Sequence, residues 1–403
     1  MVAAAAEALF SQSHVSHPNF AENKERMRIH GAIPPLCLGL RSASWPVKYH
    51  SCSALSELAF CNKNNCMAIV TTAGALDALV EILLSNVLNM HEDAALVINN
   101  CAAFSEEVCT QIVRSPGLVA ALKRLTLSGA FGANCVAVGA LNCLSRCRDA
   151  KQSLIDMRVV EDALVPVLRE VGDGDKHEAR RVRAAMAVAN LTGRCEQEHM
   201  QDFQALPAMV KVLGYAIEGR SWAGIHLSSY SVLYPLSHLA ERLENRSQLI
   251  DCGLVELLAR SIDRVSGVRS SEADDLILPL VLKICEHFAD DWGNHERLRQ
   301  AGFVHVLREL ASGVRGEAPA CIQSANTLLE RLLKAPLAVC MGQHSRVGVN
   351  SPFFRLDEYV VAMIIDLGFE RREGFSRSRG VGDEKNSVGA NAHELCTDED
   401  FTN

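Results

Sequence analysis

The chain has 403 residues, a net charge of −8 and a sequence pI near 6.0, which argues against general nucleic-acid binding, since that needs a basic stripe to displace counterions. Hydrophobic residues make up 48% and aromatic residues only 5%, so the core is one of small and branched side chains, and glycine and proline are too sparse for a low-complexity chain. The 15 cysteines are an odd number, scattered on apolar positions without the compact spacing of a disulfide-stapled domain; the expected setting is reducing, cytoplasmic or nuclear.

Residues 1–20 read as a flexible leader in which residues 2–10 have the composition of a short Ala-rich helix. No basic residue precedes the apolar start and Glu7 interrupts it, so it does not read as a signal peptide. No apolar run approaches the roughly 18 residues needed to span a bilayer. From Asn23 a short helix is followed by Gly31 and by a second helix opened at Pro34 and Pro35. Glycine ends one helix in the left-handed conformation and proline is tolerated in the first turn of the next.

The glycine corner returns at Gly74, Gly117, Gly253 and Gly302, each time before a run with apolar residues at helical spacing, such as Leu76, Leu79, Val80 and Leu83. Two copies have lost the glycine, at Met157-Arg158-Val159-Val160 and at Gln204-Ala205-Leu206-Pro207, where the turn must be made otherwise. A third helix in each unit ends in a six-residue pattern, Ala140-Leu141-Asn142-Cys143-Leu144-Ser145 being one copy. Its fifth positions are Leu58, Cys101, Leu144, Leu191, Leu239 and Phe288, separated by 43, 43, 47, 48 and 49 residues.

Together these residues resemble the armadillo-repeat family: a Gly-Ala-Leu-like corner, an apolar second helix, and a third helix ending in an Ala-Leu-x-Asn-Leu-Ser-like motif. HEAT repeats are the near rival, and the three-helix layout with a glycine corner favours armadillo. The expected fold is all-α, a right-handed superhelical solenoid of about seven armadillo-like three-helix repeats over residues 21–336, the terminal ones partial. One such unit cannot bury its own apolar faces, so neighbours must stack. Loops are expected at 214–227, 264–275 and 312–319, and a closing helix at 320–334. The tail, 337–403, reads as mostly disordered, with one amphipathic helix near 357–369 that could dock on the solenoid and inhibit it.

No catalytic set stands out. There is no phosphate-cradling glycine loop, no G-x-S-x-G elbow and no H-E-x-x-H, and no cofactor is expected. The nearest approaches to a thiolate pair, Cys143 with Cys147 and Cys61 with Cys66, lack a second ligand pair at zinc-site spacing, so no metal is expected. His14 and His17 read as solvated.

In the resembled family the third helices line a groove that holds extended peptides. Its importin-alpha-like branch places a tryptophan four residues before the motif asparagine. Here those positions are Ser53, Leu96, Gly139, Met186, Tyr234 and Lys283, so binding of nuclear-import signals is not expected. The candidate groove residues are Asn100, Arg183, Met186, Asn190, Tyr230, Tyr234, His238, Lys283 and His287. Spacings of four and seven keep neighbours among them on one helical face. A basic, aromatic face in an acidic protein suits an acidic or phosphorylated peptide. The structural alternative is that Arg180, Arg181 and Arg183 pair with Asp173, Asp175 and Glu178 while the tyrosines pack on neighbouring helices. The functional reading is a non-enzymatic scaffold or adaptor that binds a protein or peptide and neither nucleic acid nor a membrane core. The other reading is a regulatory or targeting subunit whose catalytic partner is another chain.

Overall fold

The computed structural model describes residues 2–344 apart from 15, 104, 129–130, 171, 173, 194–203, 268–273 and 314–317. The amphipathic segment near 357–369 lies outside the described residues, with most of the tail. The chain divides into two compact units, Met1–Cys252 and Gly253–Asn403.

In the first unit, residues 2–13, expected within a flexible leader, form helix α1 (Val2–Ser13), which packs against α4 (Trp45–Ala59) with Ala6 and Ser13 buried. Between them lie α2 (Phe20–Ile29) and α3 (Ile33–Gly39). Small alanine side chains let α1 approach α4 closely, which is why this polar-flanked start is ordered.

Two regular repeats follow. The first comprises α5 (Lys63–Thr71), α6 (Ala75–Leu84) and α7 (His91–Ala102), and the second α8 (Glu106–Arg114), α9 (Leu118–Thr126) and α10 (Phe131–Ser145). Their first helices are capped alike: Asn62 Oδ1 accepts from the Asn65 amide at 2.9 Å and Ser105 Oγ from the Val108 amide at 3.4 Å. Their corners take φ of +75° at Gly74 and +79° at Gly117, as a left-handed helix stop requires.

The third repeat keeps that geometry without the glycine. After α11 (Arg148–Asp156), Arg158 itself takes φ +54°, and a π-type turn at Val160–Leu164 leads into α12 (Val165–Arg169), where Pro166 supplies no amide to the ladder. Its long third helix is α13 (Asp175–Thr192). At the other glycine-less corner Gln204 has φ −74° and ψ 72°, and α14 (Ala205–Glu218) starts directly after it. The loop expected at 214–227 is therefore shorter, because Gly214 continues α14. Helices α15 (Ser229–Ala240) and α16 (Leu243–Asp251) complete the unit.

The third helices stack side by side, α4 on α7, α7 on α10, α10 on α13 and α13 on α15. The motif's fifth positions in this unit, Leu58, Cys101, Leu144, Leu191 and Leu239, are all buried. Full burial of a leucine is worth about 2 kcal/mol, so the repeated position is where each unit gains its stability from its neighbour.

The second unit contains α17 (Leu254–Gly267), α18 (Asp274–Ala289), α19 (His295–Gln300), α20 (Phe303–Ala311) and α21 (Pro319–His344). Helix α21 packs on α18 and α20 around Phe288, Phe303, Leu307, Leu328 and Leu332. It runs through Pro336, where the pattern was expected to stop.

Candidate functional face

Arg183 is the most informative residue of the expected groove. Helix α13 packs on α10, and the place where a tryptophan would stand in the importin-like pattern is Gly139 on α10. Its missing side chain leaves room for a guanidinium: a β-carbon at residue 139 would lie 2.8 Å from Arg183 Nη1. Arg183 Nε is buried without a hydrogen-bond partner, and among the described residues no carboxylate pairs with this guanidinium. Burial lowers its pKa, opposed by Cys143 and Cys135, yet an arginine remains charged at neutral pH. The result is a partly desolvated positive charge beside Asn99 and Cys143.

Its neighbours on α13 behave differently. Arg180 is buried in an ion pair with Glu170 and also donates to the Thr126 carbonyl. Arg181 donates to the Leu168 carbonyl at 3.1 Å, and Glu178 lies 3.5 Å from Lys211. The uniform arginine face considered from sequence is thus split: Arg180 holds α13 to the preceding turn, and Arg183 has no carboxylate partner among the described residues.

Tyr230, Tyr234 and His238 form a continuous stripe on α15, with ring centroids 5.8 Å apart for the two tyrosines and 4.9 Å for Tyr234 with His238. His238 Nδ1 lies 3.4 Å from Glu241 Oε1. Arg146, in the turn after α10, donates to Ser231 Oγ at 2.6 Å and stands 6.0 Å from the Tyr230 ring. Arg148 and Glu106 are within electrostatic reach of Tyr234. Burial raises both tyrosine pKa values. No described hydrogen bond, ion pair or ring contact joins Arg183 to either tyrosine, so the single face expected from spacing comprises two clusters on neighbouring helices.

Two expected groove residues are corrected. Met186 is 0% and Asn190 1% exposed, both inside the helix stack. Asn190 Nδ2 donates to Ser145 Oγ at 2.9 Å and approaches Asn142 Oδ1 at 3.5 Å, binding α13 to α10. The third helices are packed on more than one side, so Met186 and Asn190, one turn apart on α13, are both interior, while Arg183 is only half-buried. Asn100 is half-buried and its Nδ2 donates to the Ser56 carbonyl at 3.1 Å, which makes it a tie between α7 and α4. In the second unit, Lys283 and His287 are half-buried on α18, and His287 Nδ1 lies 4.0 Å from Asp290.

Sequence reasoning missed Arg146, Glu92 and Asp93. Arg146 directly follows the repeat motif, but its partner Ser231 is 85 residues away. Asp93 on α7 accepts a hydrogen bond from Ser53 at 2.8 Å, and burial raises its pKa; burial and Asp93 likewise raise that of Glu92. These carboxylates lie on an earlier third helix of the unit and give that part an acidic character.

A cavity of about 410 Å³ lies between α13 and α14, lined by Asp175, Glu178, Arg181, Pro207 and Lys211. Its charges are of both signs, and Lys211 and Glu178 approach each other within it. Among the described residues no three His, Cys, Asp or Glu side chains are grouped to hold a metal ion, and no single helix is long and apolar enough to cross a membrane.

The three-helix units, left-handed corners and stacked third helices decide the architecture. The fold is armadillo-like. Similar solved structures include an engineered protein, 23% identical over 81% of this chain and 74% of its own, with a TM-score of 0.48. A designed armadillo repeat protein in complex with the peptide (KR)4 is 18% identical over 64% of this chain and 99% of its own, with a TM-score of 0.41. Computationally designed armadillo repeat proteins for modular peptide recognition are 18% identical over 74% of this chain and 99% of theirs, with a TM-score of 0.37. No family model matches the chain, and no curated protein matches it.

Proposed function

We propose that this armadillo-like chain is a non-enzymatic interaction scaffold of the cytoplasm or nucleus that holds an extended segment of a partner protein against α13 and α15. The partner segment carries a carboxylate or phosphate that pairs with Arg183, while Tyr230 and Tyr234 offer flat, half-buried surface to its neighbours. The observation that carries this reading is the Arg183 guanidinium, partly desolvated over Gly139 and without a carboxylate partner among the described residues. A buried cation gains most from an anion that arrives with its partner, because burial has already removed part of its water. Arg146 and Arg148 stand beside the neighbouring aromatic stripe, with Glu106 near Tyr234 and Glu241 near His238 as acids in reach.

The test is affinity capture from cell extract by the full chain beside Arg183→Glu, after circular dichroism shows equal helicity. Captured partners are identified, their bound segment mapped, and the segment titrated with and without phosphate. Loss of at least about tenfold in affinity on Arg183→Glu is expected. Equal affinity for both chains would overturn the assignment of Arg183.

A further inference from the structure

Helix α10 is a floor over which its two neighbours set opposite charges. Gly132 and Gly139 lie on it two turns apart, and so on one face. Arg183 of α13 fills the space that a side chain at residue 139 would need. Glu92 of α7 does the same at residue 132, where a β-carbon would collide with its carboxylate. Two turns of helix rise by about 10 Å, so the guanidinium and the carboxylate face the same side of α10 too far apart to form an ion pair.

Glu92 is followed on α7 by Asp93, whose Oδ2 accepts from Ser53 on α4 at 2.8 Å. Among the described residues neither carboxylate forms an ion pair. Lys176 is within electrostatic reach of Glu92, and Lys48 and His50 stand on α4, yet none of them closes a pair with either acid. Burial raises both pKa values, so these acids are short of water as well as of a cation.

Exposed aromatic surface lies on the helix beside them. Trp45 and Tyr49 of α4 stack with ring centroids 5.2 Å apart and planes 9° from parallel, and Trp45 is 45% exposed. Trp45, Tyr49 and Ser53 follow at four-residue steps, so the stack continues the face from which Ser53 reaches Asp93. The later stripe on α15 already has a cation, Arg146, at 6.0 Å from the Tyr230 ring. Among the described residues no cation stands over the α4 stack. An aromatic face next to unmatched carboxylates suits an ammonium or guanidinium, which gains from both.

We propose that the partner segment carries a lysine or arginine about three residues from its acidic or phosphorylated side chain, and that this cation docks against Glu92, Asp93 and the Trp45–Tyr49 stack. The inference rests on the reading that Arg183 takes the anion, and it adds the opposite charge and the spacing. Extended chain advances about 3.3 Å per residue, so three residues span the distance between the two glycines. Opposite charges at a fixed separation also give the segment a direction, because a reversed segment would set each charge against its like.

The experiment selects displayed random peptides of about twelve residues against the full chain, against Arg183→Glu, and against Glu92→Gln combined with Asp93→Asn, after circular dichroism shows equal helicity. Wild type should enrich Lys or Arg about three residues from Asp or Glu. The double variant should lose the basic residue and keep the acidic one, and Arg183→Glu should do the reverse. A selected peptide resynthesised with Gln for its basic residue should bind wild type about tenfold more weakly, with no further loss on the double variant. Trp45→Ala, at an exposed position, should weaken the original peptide several-fold. Should the double variant lose helicity, the resynthesised peptide on wild type decides. Acidic residues without basic ones in the wild-type selection would overturn this inference and leave the reading of Arg183 standing. Basic residues without acidic ones would overturn the reading of Arg183 and, with it, the spacing; no enrichment of either would overturn both.

Discussion

The Arg183 guanidinium rests on the bare backbone of Gly139: a β-carbon there would stand 2.8 Å from Nη1 and 2.9 Å from Asn99 Oδ1. A charge on one repeat is thus accommodated by an absent side chain on the repeat before it. Both obstructing atoms end flexible side chains, so Gly139→Ala is expected to leave stability within about 1 kcal/mol, its steric cost offset by the helix propensity of alanine. The added methyl displaces Arg183, and affinity for the partner segment should fall several-fold. Titration of that segment against Gly139→Ala checks this; an unchanged affinity, with Arg183→Glu still defective, would show that Gly139 does not position the charge.

The corners give a paired prediction. A β-carbon at Gly117 would meet Val80 Cγ1 at an ordinary 3.5 Å, so Gly117→Ala tests the left-handed backbone and not a clash. It should destabilise the chain by about 1–2 kcal/mol. Arg158 already bears that strain, so Arg158→Gly should change stability by no more than about 0.5 kcal/mol, relief of strain balancing added chain entropy and loss of the exposed contact with Asp162. Urea unfolding of the two variants should therefore rank them clearly.

Asn190 separates packing from recognition. Because it joins α13 to Ser145 and Asn142 on α10 inside the stack, Asn190→Ala should cost about 1–3 kcal/mol and leave partner affinity unchanged once the protein is folded. Met186→Ala should cost about 2–5 kcal/mol for the same reason. Thermal melts and segment titrations on each variant distinguish this from a groove role, in which affinity would fall with little change in melting.

Asp93 predicts a pH dependence. Burial raises its folded-state pKa above the ordinary carboxylate value, so between those two values the native chain holds more protons than the unfolded one. Stability from this group is therefore lost as pH rises through the window. Asp93→Asn keeps an oxygen able to accept from Ser53 and removes the buried charge. Its advantage over wild type should grow from about pH 4 upward and then level off by neutral pH, read as the difference in urea midpoints. A constant difference across that range would refute the assignment.

The repeat architecture was legible because it rests on local rules. Leu58, Cys101, Leu144, Leu191 and Leu239 recur at nearly even steps, and each is buried, since a stack of like units repeats its interior with its sequence. Gly74 and Gly117 marked their corners because few other residues take that backbone cheaply. Helical spacing also placed Tyr230, Tyr234 and His238 on one face, and their rings do form one stripe. Spacing failed for Met186 and Asn190, because it gives a direction around one helix and not which neighbours cover that direction.

The sequence by itself therefore determined the repeat, its three-helix unit and the face of each helix that must be buried, all set by periodicity and backbone preference over a few tens of residues. Only the tertiary structure decided which charges are matched. Arg180 found Glu170, Arg183 found the gap at Gly139 and Arg146 found Ser231, pairings that depend on the offset between stacked repeats. That offset is the sum of many packing contacts between helices far apart in the chain, and no local stretch encodes it.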